Sequence, residues 1–347
     1  MWPRIGRRSI GAHAPVLAVA EIGLNHGGDL QQAIALVDAA ASAGARAIKL
    51  QTLYADRLVA AWCPPPAHVN VSSLREFFST FELDADAHRA IVTRAREHEL
   101  AVLSTPFCED VLPMLEELDI DAYKIASGDL THDGLIAAAA RTGKPVILST
   151  GMSSLTEVLR AVNVARRAGA EGIAVLHCVS AYPTPPGAEN LRAIHTMACA
   201  LDVPVGLSDH SAGGLLSAVA AIALGACIYE RHLMLHEDVI DRAVSSTPAE
   251  FRAIVDAMER TRLSMGDGRK RCLPAERVNL VSSRRGLYAR RALSAGQRIT
   301  ASDVIALRPA NALGPADLPR LVDSVLSRDL PAGAPFRAAD LAIERAS

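Results

Sequence analysis

The sequence predicts a TIM (β/α)8 barrel followed by a small β-rich C-terminal domain. Three observations carry this. Short apolar runs of strand length alternate eight times with helical stretches between residues 16 and 262. The runs are apolar throughout rather than at alternate positions, as in parallel strands covered on both faces. Eight such units fill about 250 residues, the usual size of this barrel. A doubly wound open sheet is the competing architecture, but no Gly-x-Gly-x-x-Gly follows the first strand.

Val16–Glu21 is the first strand and ends in a carboxylate. Asn25-His26-Gly27-Gly28 follows, and Asp29 caps a helix to about Ser42. Ala47–Gln51 is the second strand. A long insert, 52–82, carries Pro64-Pro65-Pro66 and Phe77-Phe78. Asp84–Glu99 is a helix with Ile91 and Val92 inward, and Ala101–Thr105 is the third strand. A short helix, 109–118, leads to the strand Ala122–Ser127. Then come the helix Gly134–Thr142, the strand Pro145–Ser149, the helix Ser154–Ala168, the strand Ile173–His177 and the helix Asn190–Leu201. Strands Val203–Leu207 and Ala226–Glu230 enclose the helix Ser217–Leu224. Thr247-Pro-Ala-Glu250 is a capping box opening the last helix, to Arg262.

The barrel is thus assigned to 1–265, a polar, Pro-containing linker to 266–280, and a second domain to 281–347. The last has ten arginines and no lysine. Gly286–Ala289 and Val304–Leu307 are β-like, and Ala292-Leu-Ser-Ala-Gly-Gln297 echoes Asp329-Leu-Pro-Ala-Gly-Ala334. A domain of about 65 residues builds only a small core, so it is expected to pack on another surface.

Half the residues are hydrophobic and 21% are charged, a globular composition. A net charge of −2 leaves no overall basic field for nucleic acid. No apolar run reaches the ~18 residues of a membrane span. The basic start, Met1–Arg8, lacks the apolar core of a signal peptide. Six scattered cysteines without a Cys-x-x-Cys pair read as reduced thiols of a cytoplasmic protein. Of 36 basic residues only four are lysines, at 49, 124, 144 and 270. In a chain that prefers arginine, a retained lysine marks a place for a compact ammonium.

In this barrel the C-terminal strand ends build the site. Read in order they present Glu21; Lys49 and Gln51; Thr105; Lys124 and Ser127; Ser149; His177 and Ser180; Ser208, Asp209 and His210; Glu230 and His232. His210 and His232 leave strands that lie about 4.8 Å apart if adjacent. With Asp209 and Glu230 beside them as orienting carboxylates, they suit a divalent metal; otherwise they are two loop histidines bonded to backbone. Two ammonium groups, several hydroxyls and the Gly128 N–H suit a small, multiply charged anion. Glu21 or Asp129 could move protons. The plain alternatives are strand-end salt bridges for Lys49 and Lys124, helix caps for Ser127 and Ser149, and a rigid loop for Tyr182–Pro186.

The motifs Ala20-Glu21-Ile-Gly-Leu-Asn25-His26, Lys49-x-Gln51, Ser104-Thr-Pro-Phe107, Tyr123-Lys124-Ile-Ala-Ser127-Gly-Asp129, Ser149-Thr-Gly-Met152, Ser180-Ala-Tyr-Pro183, Gly206-Leu-Ser-Asp-His210 and Glu230-Arg-His232 follow one another as in the sialic acid synthases. The chain resembles those N-acetylneuraminate synthases and their spore-coat, legionaminate and pseudaminate relatives over about residues 15–345. Its C-terminal part resembles their antifreeze-like domain, of β-clip type. The resemblance implies condensation of phosphoenolpyruvate with an N-acylated hexose such as N-acetylmannosamine. Water adds, phosphate leaves by C–O cleavage, and a nine-carbon 2-keto acid results. It also implies Mn²⁺ or Mg²⁺ on His210 and His232, polarising the sugar aldehyde.

By the same resemblance Glu21, Lys49, Lys124 and Asp129 form the catalytic group. Lys49, Lys124, Ser127 and Ser149 hold phosphate and carboxylate. Gln51, Tyr182, Glu230 and Asp241 line the sugar pocket, with further substrate contacts at Thr105, Ser180 and Ser208. Arg308, in Arg308-Pro-Ala-Asn-Ala-Leu-Gly314, reaches the sugar's N-acyl group across a domain-swapped homodimer. Three departures stand out. Asp129 replaces a Glu found in some members, the loop through Glu237–Asp241 is shorter than usual, which bears on the acceptor sugar, and Val322-Asp-Ser-Val325 replaces a usual Gly-basic pair in the small domain. The competing functions are a Schiff-base aldolase using Lys124 or Lys49 without metal, and a carbohydrate-binding or antifreeze-type module with an inactive barrel.

Overall fold

A computed structural model describes residues 4–11, 14–64 and 72–342. Met1–Pro3 of the basic start, and Pro65 and Pro66 of the insert, lie outside the described residues. The chain divides into two compact units, Met1–Gly266 and Asp267–Ser347.

The first unit is the predicted barrel. Its strands are β1 (Leu17–Glu21), β2 (Ala47–Thr52), β3 (Ala101–Pro106), β4 (Ala122–Ile125), β5 (Val146–Ser149), β6 (Ile173–Cys178), β7 (Val205–Ser208) and β8 (Ile228–Leu233). All neighbours pair in parallel. The ring closes through β7–β8 and β8–β1, with Ser208 opposite Glu230 and His232 opposite Glu21. The alternating helices are α1 (Leu30–Ser42), α2 (Ala85–Glu97), α3 (Leu112–Glu117), α4 (Asp133–Arg141), α5 (Leu155–Ala168), α6 (Arg192–Leu201), α7 (Leu215–Ala223) and α8 (Pro248–Met265). Sequence-encoded caps start several of them: Asp29 accepts the Gln32 N–H, and Ser154 and Thr247 form capping boxes with Glu157 and Glu250.

Period-two alternation divides every strand between two cores. Ala18, Ala20, Ile48, Leu50, Val102 and Tyr123 pack outward against the helices. Leu17, Val19, Ala47, Leu103, Ala122, Ile147 and Leu176 fill the barrel interior, together with Ile5 and Ile10. Ile5 lies in a short hairpin, Arg4–Ile5 with Arg8–Ser9, Ile10 follows it, and both isoleucines are buried. Continuing the inward parity along each strand reaches Glu21, Lys49, Gln51, Thr105, Lys124, Ser149, Cys178, Ser208, Glu230 and His232. The site is the polar continuation of the inner core.

Two features differ from expectation. Strands β6 and β8 run further than predicted, so His232 lies within a strand rather than after it. The insert contains two short helices, Ala55–Leu58 and Leu74–Ser79, over a satellite core of Leu24, Leu53 and Ala55 with Phe78, Phe81 and Phe107.

In the second unit β9 (Gly286–Ala289) pairs antiparallel with β10 (Val304–Leu307). Its core gathers Leu287, Leu293, Ile299, Leu326, Leu330 and Phe336 among others. The two echoed segments meet: Leu293 and Leu330 exchange backbone N–H···O bonds of 2.8 Å. Residues read as a linker contain a 3-10 turn at Pro274–Glu276 and lead into a helix at Asn279–Ser283.

Candidate active site

A cavity of about 780 Å³ opens at the C-terminal strand ends. Thirteen of the residues expected in the site line it: Lys49, Gln51, Thr105, Lys124, Ser127, Ser149, Ser180, Tyr182, Ser208, His210, Glu230, His232 and Asp241. Glu21 does not reach the wall. It is buried and ion-paired with the Lys49 ammonium, and its Oε1 lies 3.5 Å from the Gln51 amide. A Cβ at Gly23, where φ is +28°, would collide with both the Glu21 carboxylate and that amide, so glycine is needed there.

Asp129 stands apart from the cavity. The turn Ser127–Asp129 that follows β4 directs Ser127 and Gly128 to the cavity, while Asp129 shares its surroundings with His132 and Glu109. The geometry therefore does not carry the catalytic role expected for Asp129. Arg308 is an exposed residue just past β10 in the second unit.

The floor is a chain of buried charges. Lys49 Nζ donates to Thr105 Oγ1 at 3.1 Å and lies 3.8 Å from Glu230 Oε1; Lys124 Nζ lies 3.5 Å from the same oxygen. Ser208 Oγ donates to Glu230 Oε1 at 3.1 Å. The two lysines differ in their surroundings. Burial pulls Lys49 down, but Glu21 and Glu230 outweigh it and hold the ammonium above its ordinary pKa. Burial dominates at Lys124, which falls below its ordinary value because Glu230 only partly compensates and Lys49 repels it. Burial opposes ionisation of Glu230, yet Lys124 and Lys49 hold its pKa down.

Over β4–β6 the wall is a cradle of small polar groups. The Gly151 N–H donates to Ser127 Oγ at 3.0 Å. A Cβ on Gly151 would run into the hydroxyls of both Ser180 and Ser127. Across the cavity, after β1 and β2, the wall is apolar, with Leu24, Val59, Trp62, Leu74 and Phe78.

The histidines converge from β7 and β8 with ring centroids 5.6 Å apart, and Tyr182 stacks on His210 at 4.1 Å. Their orienting partners are not the expected ones. Asp209 follows the outward parity and accepts from Tyr229 Oη at 2.8 Å and the Ser211 N–H. Glu230 serves the lysines. His210 instead has Nδ1 3.0 Å from the Val179 carbonyl, which as a donor leaves Nε2 with its lone pair. His232 Nδ1 lies 3.0 Å from Asp241 Oδ2, yet this buried nitrogen has no aligned hydrogen bond. That separation matches the roughly 3 Å edge between adjacent ligands of an octahedral ion with bonds near 2.1 Å. The donor set therefore fits a divalent cation. Among the described residues no three His, Cys, Asp or Glu side chains form a complete cage.

The NeuB family model matches residues 36–270. The chain belongs to the NeuB family. The SAF domain model matches residues 284–345, the antifreeze-like part. An uncharacterized protein of Methanocaldococcus jannaschii is 36% identical over 312 residues, 89% of this chain and 90% of its own. The N,N'-diacetyllegionaminic acid synthase of Campylobacter jejuni is 33% identical over 306 residues, 86% of this chain and 91% of its own. The crystal structure of the N-acetylneuraminic acid synthetase of Leptospira borgpetersenii superposes with a TM-score of 0.73 at 32% identity, covering 80% of this chain and 95% of that one. The resemblance read from the motifs is borne out.

This NeuB-family cavity holds groups that the sequence reading did not place there. Cys178 lines it from the last position of β6. Its neighbour His177, expected in the site, points outward and bonds the Glu189 carbonyl at 2.7 Å. Extending the inward parity of Ala174 and Leu176 by two residues would have found the thiol. The apolar wall left no signal, since Leu24, Val59 and Trp62 lie on irregular backbone and Leu74 and Phe78 on a helix too short to show a period.

Proposed function

We propose that this chain joins phosphoenolpyruvate to an N-acylated amino hexose, giving a nine-carbon 2-keto acid and phosphate. The observation that carries this is the division of one cavity. A hydroxyl and ammonium cradle over β2–β6 faces a pair of histidines and Asp241 from β7 and β8. The first half suits a doubly anionic substrate; the second suits a sugar with a reactive carbonyl.

In this reading Lys49 and Lys124 bind the phosphate and carboxylate, helped by Ser127, Ser149, Ser180 and the Gly128 backbone. Thr105 and Ser208 act on the lysines and Glu230 rather than on substrate, as their hydrogen bonds suggest. Gln51, Tyr182 and Asp241 orient the sugar. The C3 carbon of phosphoenolpyruvate attacks the aldehyde carbon, the aldehyde oxygen takes up a proton, water adds at C2, and phosphate leaves with the bridging oxygen. In this reading Glu21, behind the cavity wall and ion-paired with Lys49, exchanges protons with the substrates through the Lys49 ammonium. Mn²⁺ or Mg²⁺ bound by His210 and His232, beside Asp241, would supply Lewis-acid polarisation of the aldehyde oxygen. Family membership favours this over a Schiff-base aldolase.

The proposal extends to a homodimer in which Arg308 serves the partner's sugar, and to a cytoplasmic location. Among the described residues no helix is long and apolar enough to cross a membrane. The test is incubation with phosphoenolpyruvate, Mn²⁺ and a panel of N-acyl hexoses. A 2-keto acid should form, with ¹⁸O from the bridging position recovered in phosphate. Failure of every sugar would refute the function, and label retained in the acid would refute C–O cleavage.

A further inference from the structure

Asn25 belongs to the turn after β1, outside the cavity. Its side chain is 4% exposed, and its amide reaches more than two hundred residues along the chain. Nδ2 donates to the Leu233 carbonyl and to Ser245 Oγ, each at 2.9 Å. Oδ1 accepts the Asp241 N–H at 3.2 Å. Ser245 Oγ in turn donates to the Asp241 carbonyl at 2.8 Å. The backbone partners settle which way the amide faces, because a flipped group would set its NH₂ against the Asp241 N–H. One side chain from the first strand end thus holds both ends of segment 234–241, across the seam where β8 meets β1.

We propose that Asn25 is a positioning residue for the acceptor sugar. It closes the segment after β8 and so fixes the Asp241 carboxylate on the cavity wall. This rests on reading the cavity as that of a phosphoenolpyruvate-dependent synthase in which Asp241 faces the sugar. All four tied groups lie on the β8–β1 side, whereas the hydroxyl cradle rises from β4–β6. Releasing the clamp therefore disturbs one substrate and spares the other. Losing Asn25 would also strand the partly buried Asp241 N–H and the buried Leu233 carbonyl, so the segment gains by opening to water.

Two variants test this in the full chain. Asn25→Asp is isosteric and keeps the acceptor for the Asp241 N–H, but removes both donors. Ser245→Ala frees the Asp241 carbonyl and leaves Asn25 intact. Hydrogen exchange should accelerate about tenfold in 234–244 for both, with β1–β7 unchanged. The KM for the acceptor sugar should rise about tenfold, the loss expected for one hydrogen bond, while that for phosphoenolpyruvate stays within about twofold. Unchanged exchange in 234–244 overturns the clamp. Acceleration throughout β1 and β8, or equal rises in both constants, reduces Asn25 to a seam residue and overturns its positioning role. If the unaltered protein makes no keto acid from any N-acyl hexose, the synthase reading falls, and the exchange profile alone still decides whether Asn25 clamps the segment.

Discussion

Arg231 and Asp209 face each other on the outer side of the barrel wall, with NH1 3.6 Å from Oδ2 and both side chains almost wholly buried. Each adjoins a cavity histidine in sequence, and alternation sends it the opposite way. Arg231 also donates to Ser246 Oγ at 2.6 Å and the Ser211 carbonyl at 2.9 Å, so it ties the turn after β7 to the strand end after β8. Removing one partner leaves a buried, unpaired charge. Arg231→Met should therefore cost about 3–5 kcal/mol in urea unfolding. A loss below about 1 kcal/mol would show the pair to be dispensable.

The lysines should divide the substrates. Lys49→Met and Lys124→Met each remove a charge-assisted contact worth roughly 1.5–3 kcal/mol. The constant for phosphoenolpyruvate should rise by about ten- to a hundredfold and that for the sugar much less. A variant impaired in sugar affinity alone would assign its lysine to the wrong substrate.

Metal binding should require both imidazoles. His210→Ala or His232→Ala is expected to abolish Mn²⁺ binding by calorimetry and turnover together, with circular dichroism unchanged. Full activity after chelation and gel filtration, or Mn²⁺ affinity retained in either variant, would contradict this assignment.

Acid should destabilise the barrel through His26. Burial is the main cause that lowers its pKa to about 4, and nearby His88 adds to it. A histidine with a depressed folded pKa contributes stability above its unfolded value near 6.5 and loses it as pH falls towards 4. The span corresponds to about 3 kcal/mol. Unfolding free energy should drop over that window, and His26→Gln should flatten the drop. An equal slope in the variant would move the effect to other groups.

Much of this molecule was legible in its residues. Short apolar runs and capping boxes located the strands and helices. The polar residue ending each run fell on the inner face because strand parity is fixed. Parity also explains the errors. Asp209 lies one residue from His210 and therefore cannot orient it, while Val179 and Asp241, which touch the rings, stand in irregular segments without periodic signal. His177 was expected inside for want of one more residue of strand. The helices at Ala55–Leu58 and Leu74–Ser79 are too short for a helical period to emerge. Asn25 reads as a turn residue until its partners, over two hundred positions away, are brought to it.

The paired echo of the second unit carries a consequence for its ancestry. Leu293 and Leu330 bond each other reciprocally, and each is followed at three residues by a left-handed glycine, Gly296 at φ +79° and Gly333 at φ +78°. Two copies of one short turn thus clasp around an approximate dyad, as expected when an ancestral half-module is duplicated and fused. Neither copy can drift alone, because the backbone of each completes the other. Lineages of this domain should change these two turns in concert.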